Sequence, residues 1–134
     1  MQTFLPYADF AASARSLDRA RLGKQRVEAW QVMRALRGET RGWRSHPAVR
    51  MWRGFEPALA AYGYAMCVEW TERGYADSLG VRFLPLAGTD QMPSWLGDDA
   101  FHASHRSNLL RKDAAYYERF GWHEASDLPY VWPA

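Results

Sequence analysis

Leu17-Asp18-Arg19-Ala20-Arg21-Leu22-Gly23-Lys24-Gln25-Arg26-Val27-Glu28 is the stretch that decides how the chain folds. Asp18 is a good helix N-cap, because its carboxylate can accept the first free amide N–H groups. Downstream of it Leu22, Ala29, Met33 and Leu36 recur on one stripe at helical spacing, with Trp30 and Val32 flanking. The pattern predicts a helix from about Asp18 to Arg37 that stops at Gly38. Arg21 and Glu28 share one flank of the stripe, and Lys24 lies a little further round. Glu28 therefore falls on the border between core and surface, where its environment can tune it. Arg19, Arg21, Lys24 and Arg26 give the same helix a cationic face suited to a polyanion.

Working outward, helical signals continue in both directions. Asp9 can cap a short helix through Phe10 to Arg15. Residues 38–46 read as a connection, and His46 to Gly54 as a short helix with Pro47 in its first turn. A long helix from Glu56 to Arg73 should close at Gly74. Its apolar residues show no single face, as in a central helix contacted on several sides. Gly80, Pro85, Gly88, Pro93 and Gly97 break the pattern, which predicts a long irregular loop near residues 76–97 with at most a short extended piece at Val81 to Leu84. Asp98 or Asp99 can cap a helix running through His102 and His105 to Lys112. Asp113 can cap a further turn that ends at Gly121, and the aromatic tail reads as packed coil. The expected fold is all-α: a compact helical bundle forming one domain over residues 1–134.

Composition sets outer limits. The chain has 134 residues, 48% of them hydrophobic and 15% aromatic, enough for a core without covalent staples. Its one cysteine, Cys67, cannot form an internal disulfide and sits in an apolar run, so it reads as a small buried hydrophobe. That usage fits a reducing compartment and an expected cytoplasmic location. No apolar stretch approaches the roughly 18 residues of a membrane span, and the first seven residues lack a signal-peptide pattern. Residues 1–60 hold 11 Lys and Arg against 5 Asp and Glu; residues 61–134 hold 6 against 10. The net +2 thus hides a positive half. Arg outnumbers Lys by 15 to 2, which suits bidentate phosphate contacts, although genome base composition produces the same bias.

The residue chemistry leaves alternatives open. A mid-helix glutamate such as Glu28 is ordinarily solvated or paired, and Lys24 is its i−4 partner. His102 and His105, at i and i+3, would be half a metal site, but no Cys or Glu stands at a matching spacing, so no metal or other cofactor is expected. The block around them, with Arg106, Arg111 and Lys112, reads better as a phosphate-contacting helix. Neither a phosphate-cradling glycine loop nor a Ser-His-Asp order occurs.

Several motifs together carry a resemblance: Leu17-x-x-x-Arg21-Leu22, Arg26-Val27-Glu28, His46 to Trp52, Glu72-Arg73-Gly74-Tyr75, His102-Ala103-Ser104 and Tyr116-Tyr117-x-x-Phe120-Gly121. Their order and spacing, over roughly residues 10–122, resemble the pyrimidine-dimer DNA glycosylases of the phage endonuclease V type. The resemblance implies an all-helical domain that cuts the glycosidic bond of a damaged pyrimidine in double-stranded DNA, then breaks the strand at the abasic site, without metal. It places Glu28 at the catalytic glutamate and Arg21 at a basic pocket position. The family nucleophile is the amine of a small second residue bared by removal of the initiator Met. Here Gln2 is bulky and should block that removal, which leaves the Met1 amine, Lys24, or water activated by Glu28 as the attacking group. On this reading Arg21, Arg26, Arg50, Arg53, Arg106, Arg111 and Lys112 supply phosphate contacts. His46 and His105 are polar pocket groups, and Trp43, Trp52 or Trp95 stacks on or replaces a displaced base. A monomer is expected. The alternative is a non-catalytic nucleic-acid-binding module on the same scaffold.

Overall fold

The computed structural model describes residues 1–133. Acidic caps start most of its helices. Asp9 accepts from the Ala12 N–H at 2.8 Å and opens α1, Phe10–Ser16. Asp18 caps α2, Arg19–Leu36, which ends at Arg37 with Gly38 at φ 75°. His46, through Nδ1, accepts from the Ala48 N–H at 2.9 Å and opens α3, Pro47–Arg50. The central helix α4, Glu56–Glu72, closes at Arg73 with Gly74 at φ 97°. Then come α5, Gly80–Phe83, and a single 3₁₀ turn, Leu84–Leu86. Asp98 caps α6, Asp99–Lys112, and Asp113 caps α7, Ala114–Tyr117, which tightens into a 3₁₀ turn at Glu118–Phe120. Among the described residues there is no strand, so the all-α expectation holds. No helix is long and apolar enough to cross a membrane.

One expectation fails. Val81 to Leu84 is helical, not extended. In a strand Val81 and Phe83 would share a face. Here Val81 is 79% exposed while Phe83 is fully buried. The cause is a fitted contact: a Cβ on Gly63 of α4 would lie 2.5 Å from the Phe83 ring, so only glycine admits it. Trp30 of α2 closes on the same ring edge-on at 5.2 Å. Asp77 caps this turn by accepting from the Gly80 N–H at 2.7 Å.

The core lies around α4, which packs against α1, α2 and α5 and buries Ala58, Leu59, Tyr62, Met66 and Cys67. Leu22, Ala29, Val32 and Met33 of α2 face it. Both chain ends are also built in. Residues 2–6 run as a buried, non-helical strap between α2 and α6. The tail after Gly121 lies along α6, held where Ser104 and Ser107 accept from the Val131 and Leu128 N–H groups at 3.1 and 3.0 Å.

Candidate active site

The N-terminal strap has no neighbouring strand, so its backbone polar groups need other partners. Side chains supply them. Gln25 of α2 accepts from the Phe4 N–H at 2.7 Å and donates to the Gln2 carbonyl at 2.9 Å. Tyr62 donates to the Phe4 carbonyl at 2.8 Å and lies 2.6 Å from the Gln25 amide oxygen. Trp52 donates to the Thr3 hydroxyl at 3.0 Å. On the other side His105 Nδ1 accepts from the Leu5 N–H at 2.9 Å, and His102 Nδ1 meets the Leu5 carbonyl at 2.7 Å. The two histidines clamp one residue as a neighbouring strand would.

These bonds assign the tautomers. An Nδ1 that accepts carries no proton, so neutral His105 is protonated on Nε2. The Nδ1 of His102 must donate to a carbonyl, and its Nε2 accepts from the Gly97 N–H at 2.9 Å. Both rings stay neutral. Burial, and secondly repulsion from His102 once acid protonates it, push His105 down to about 3. Burial also lowers His102, against the opposing pull of the Leu5 hydrogen bond.

The strap delivers Met1 and Gln2 to the carboxylate of Glu28. Oε2 of Glu28 accepts from the Gln2 N–H and from the Gln25 side-chain amide, each at 3.2 Å. Lys24 Nζ stands 3.9 Å from the other oxygen, Oε1. Glu28 is half-buried, with its side chain only 15% exposed, against 75% for Lys24. Beside it opens a cleft of about 480 Å³ whose walls include Met1, Gln2, Arg21, Lys24, Lys112 and Tyr130. Arg21 is oriented there by its 3.1 Å ion pair with Asp18. Burial works against the charge of Asp18, but hydrogen bonds from the Tyr117 hydroxyl and Arg21 outweigh it and hold the carboxyl below its usual range. Tyr130 comes from the tail; burial raises its phenol, with Glu28 adding to the effect, so it faces the cleft as a neutral hydroxyl.

Of the residues singled out in the sequence, Met1, Arg21, Lys24, Glu28 and Lys112 meet at this cleft. Others do not. Trp52 and His105 are fully buried and tied to the strap, so neither is free to touch a substrate. Arg26 is held in a mostly buried ion pair with Asp77 at 3.0 Å and lies over the Trp70 ring at 4.7 Å. Arg106 pairs with Glu124 at 2.6 Å and donates to the Pro6 carbonyl at 2.7 Å. These two cations serve the fold and are withdrawn from phosphate. Arg111 is exposed but bonded to the Asn108 side chain and to the Ser126 carbonyl. Arg50 and Arg53 are exposed on and just after α3. His46 is spent as a cap, and its ring is held below the ordinary histidine value by partial burial and then by the charge of the terminal amine.

Gln2, Gln25 and Tyr130 are the site residues that sequence reasoning missed. Gln25 had one local signal, a buried position at i−3 from Glu28 on an otherwise charged face. Gln2 and Tyr130 had none. Among the described residues no cluster of three or more His, Cys, Asp or Glu is arranged to hold a metal. Cys67 is buried, and burial together with neighbouring Asp77 pushes its thiol up to about 12, which leaves it an inert core group.

Neither a curated protein nor a solved structure gives a significant match to the chain. A family model described as pyrimidine dimer DNA glycosylase matches residues 1–82, a span that contains the strap, all of α2 and Glu28. The chain belongs to the pyrimidine dimer DNA glycosylase family, whose activity is on DNA carrying a damaged base.

Proposed function

We propose that this protein releases a damaged pyrimidine from double-stranded DNA, with Glu28 as the catalytic carboxylate and the amine at Met1 as the attacking group. The observation that supports this most is the pairing of Met1 and Glu28 in one cationic cleft, joined by the Gln2 N–H on the carboxylate. As the glycosidic bond breaks, its electron pair leaves with the base and positive charge develops at C1′. One carboxylate oxygen of Glu28 is pinned by two donors, and the other, with only the exposed Lys24 ammonium 3.9 Å away, faces that charge. The amine bonds to C1′ and loses a proton. Opening of the sugar ring then gives an imine, from which loss of a 2′ proton expels the 3′ phosphate and cuts the strand. Arg21 and Lys112 at the cleft, with exposed Arg50, Arg53 and Arg111 beyond it, hold the phosphate backbone.

Borohydride trapping on a duplex with a single thymine dimer tests this reading. A covalent adduct that maps to Met1 is the expected result. An adduct on Lys24 moves the nucleophile one wall along the same cleft. Base release with no adduct replaces the amine with water activated by Glu28. Salt-sensitive binding with neither product leaves a non-catalytic DNA-binding module and overturns the assignment.

A further inference from the structure

The connection between α2 and α3 is unlike the rest of the surface. From Gly38 to Gly54 the chain carries Arg41, Arg44, Arg50 and Arg53 against a single acid, Glu39. Glu39 is already paired with Arg34 and Arg37. All four guanidinium groups are exposed, and none forms an ion pair among the described residues. Arg53 instead donates to the Arg44 carbonyl at 3.1 Å and so braces the connection against α3. In the middle stands Trp43, 47% exposed. An indole with this much open face, on a segment with Arg41 and Arg44 on either side of it in the chain and Arg53 bonded back to the Arg44 carbonyl, matches a ligand that offers flat rings and negative charge together.

Its position ties it to the cleft. The Trp43 ring meets His46 edge-on at 5.5 Å, His46 meets Trp132 at 5.9 Å, and Trp132 meets Tyr130 at 5.6 Å. Tyr130 is a wall of the cleft beside Glu28. A row of four rings thus leads from the exposed tip to the candidate active site. A base cannot enter a cleft of this size while it is still stacked and paired in a duplex, and the opening it leaves costs stacking energy.

We propose that Trp43 stacks on duplex DNA next to the extruded nucleotide and holds the opened helix over the cleft, while Arg41, Arg44, Arg50 and Arg53 grip the flanking phosphates. The inference rests on the glycosylase reading above and adds the residue that stabilises the distorted duplex. Trp43 touches neither the sugar nor Glu28, so its contribution exists only where a duplex has to be kept open.

The test is single-turnover base release by wild type, Trp43→Ala and Trp43→Phe. Each is measured on a duplex with one thymine dimer and on the same damaged strand alone. Trp43→Ala should be slower on the duplex by on the order of 10-fold, the equivalent of one lost stacking contact. It should match wild type on the single strand, with an unchanged melting temperature. Trp43→Phe, which keeps a flat face, should recover most of the loss. Equal duplex rates for wild type and Trp43→Ala overturn the inference, and so does an equal loss on both substrates. A wild-type protein that releases no base from either substrate overturns the glycosylase reading, and this inference with it.

Discussion

Helices α2 and α6 both carry dense blocks of basic and polar residues, yet they use them in opposite ways. On α2, Arg21, Lys24 and Glu28 line an open cleft. On α6, His102, Ser104, His105, Ser107 and Asn108 are all buried. Together with Arg106 they bond the backbone of the N-terminal strap and of the C-terminal tail. The difference comes from what lies alongside. Two irregular chain segments are packed against α6, and each buried peptide group needs a partner. The polar side chains of α6 are consumed in providing them, and only Lys112, at its last residue, reaches the cleft. On α2 the strap takes Gln25 and one oxygen of Glu28 and leaves Arg21 and Lys24 open to the cleft.

Substitutions on the two helices should have different consequences, and the largest effect should come from acid acting on α6. The unfolded chain binds a proton at His105 below its ordinary value of about 6.5, whereas the folded chain does so only near 3. Stability is therefore fully present above pH 6.5 and is lost as pH falls toward 3. The slope contributed is about 1.4 kcal/mol per pH unit, and His102, also lowered, adds to it. Melting temperatures from pH 7 to pH 4 should fall steeply. In His105→Asn, whose amide oxygen can take the place of Nδ1, the slope should be shallower. An identical slope in that variant would remove the clamp from the account.

Next come the partly buried ion pairs. Arg106→Met leaves Glu124 and the Pro6 carbonyl without their partner, and Arg26→Met leaves Asp77 with only the Gly80 N–H. Each should cost about 1–3 kcal/mol of stability, read by denaturant unfolding. DNA affinity measured on the folded protein should stay near wild type. A large loss of affinity with normal stability would return either arginine to the DNA interface. Gln25→Leu should cost about 1–3 kcal/mol, since it strands the Phe4 N–H and the Gln2 carbonyl. It should also slow base release, because Glu28 loses one of its two orienting donors.

The smallest effect belongs to the exposed cations. Lys112→Ala should leave folding untouched and weaken DNA binding at low salt, reducing the slope of log affinity against log salt by about one. An unchanged slope would place Lys112 off the DNA path.

Much of the fold was legible because its signals are local. Asp9, Asp18, Asp98 and Asp113 each cap a helix within three residues, and Gly38 and Gly74 mark helix ends. Glu28 and its cationic neighbours were legible for the same reason, since one helix holds them in order. What escaped was set by distant partners. Gln2, Thr3 and Phe4 look like an ordinary chain end, but Gln25, Trp52 and Tyr62 bond them from 23, 49 and 58 residues away in the chain. Arg26 and Arg106 read as free cations until Asp77 and Glu124 come beside them. Val81 to Leu84 turned helical because Phe83 seats on Gly63, a contact that no property of the segment announces.

The group on which base release should depend most is the Glu28 carboxylate in the α2 cleft. Single-turnover base release from a thymine-dimer duplex should fall by roughly 100-fold or more in Glu28→Gln, with DNA affinity within a few fold of wild type. Turnover equal to wild type in that variant would contradict that dependence.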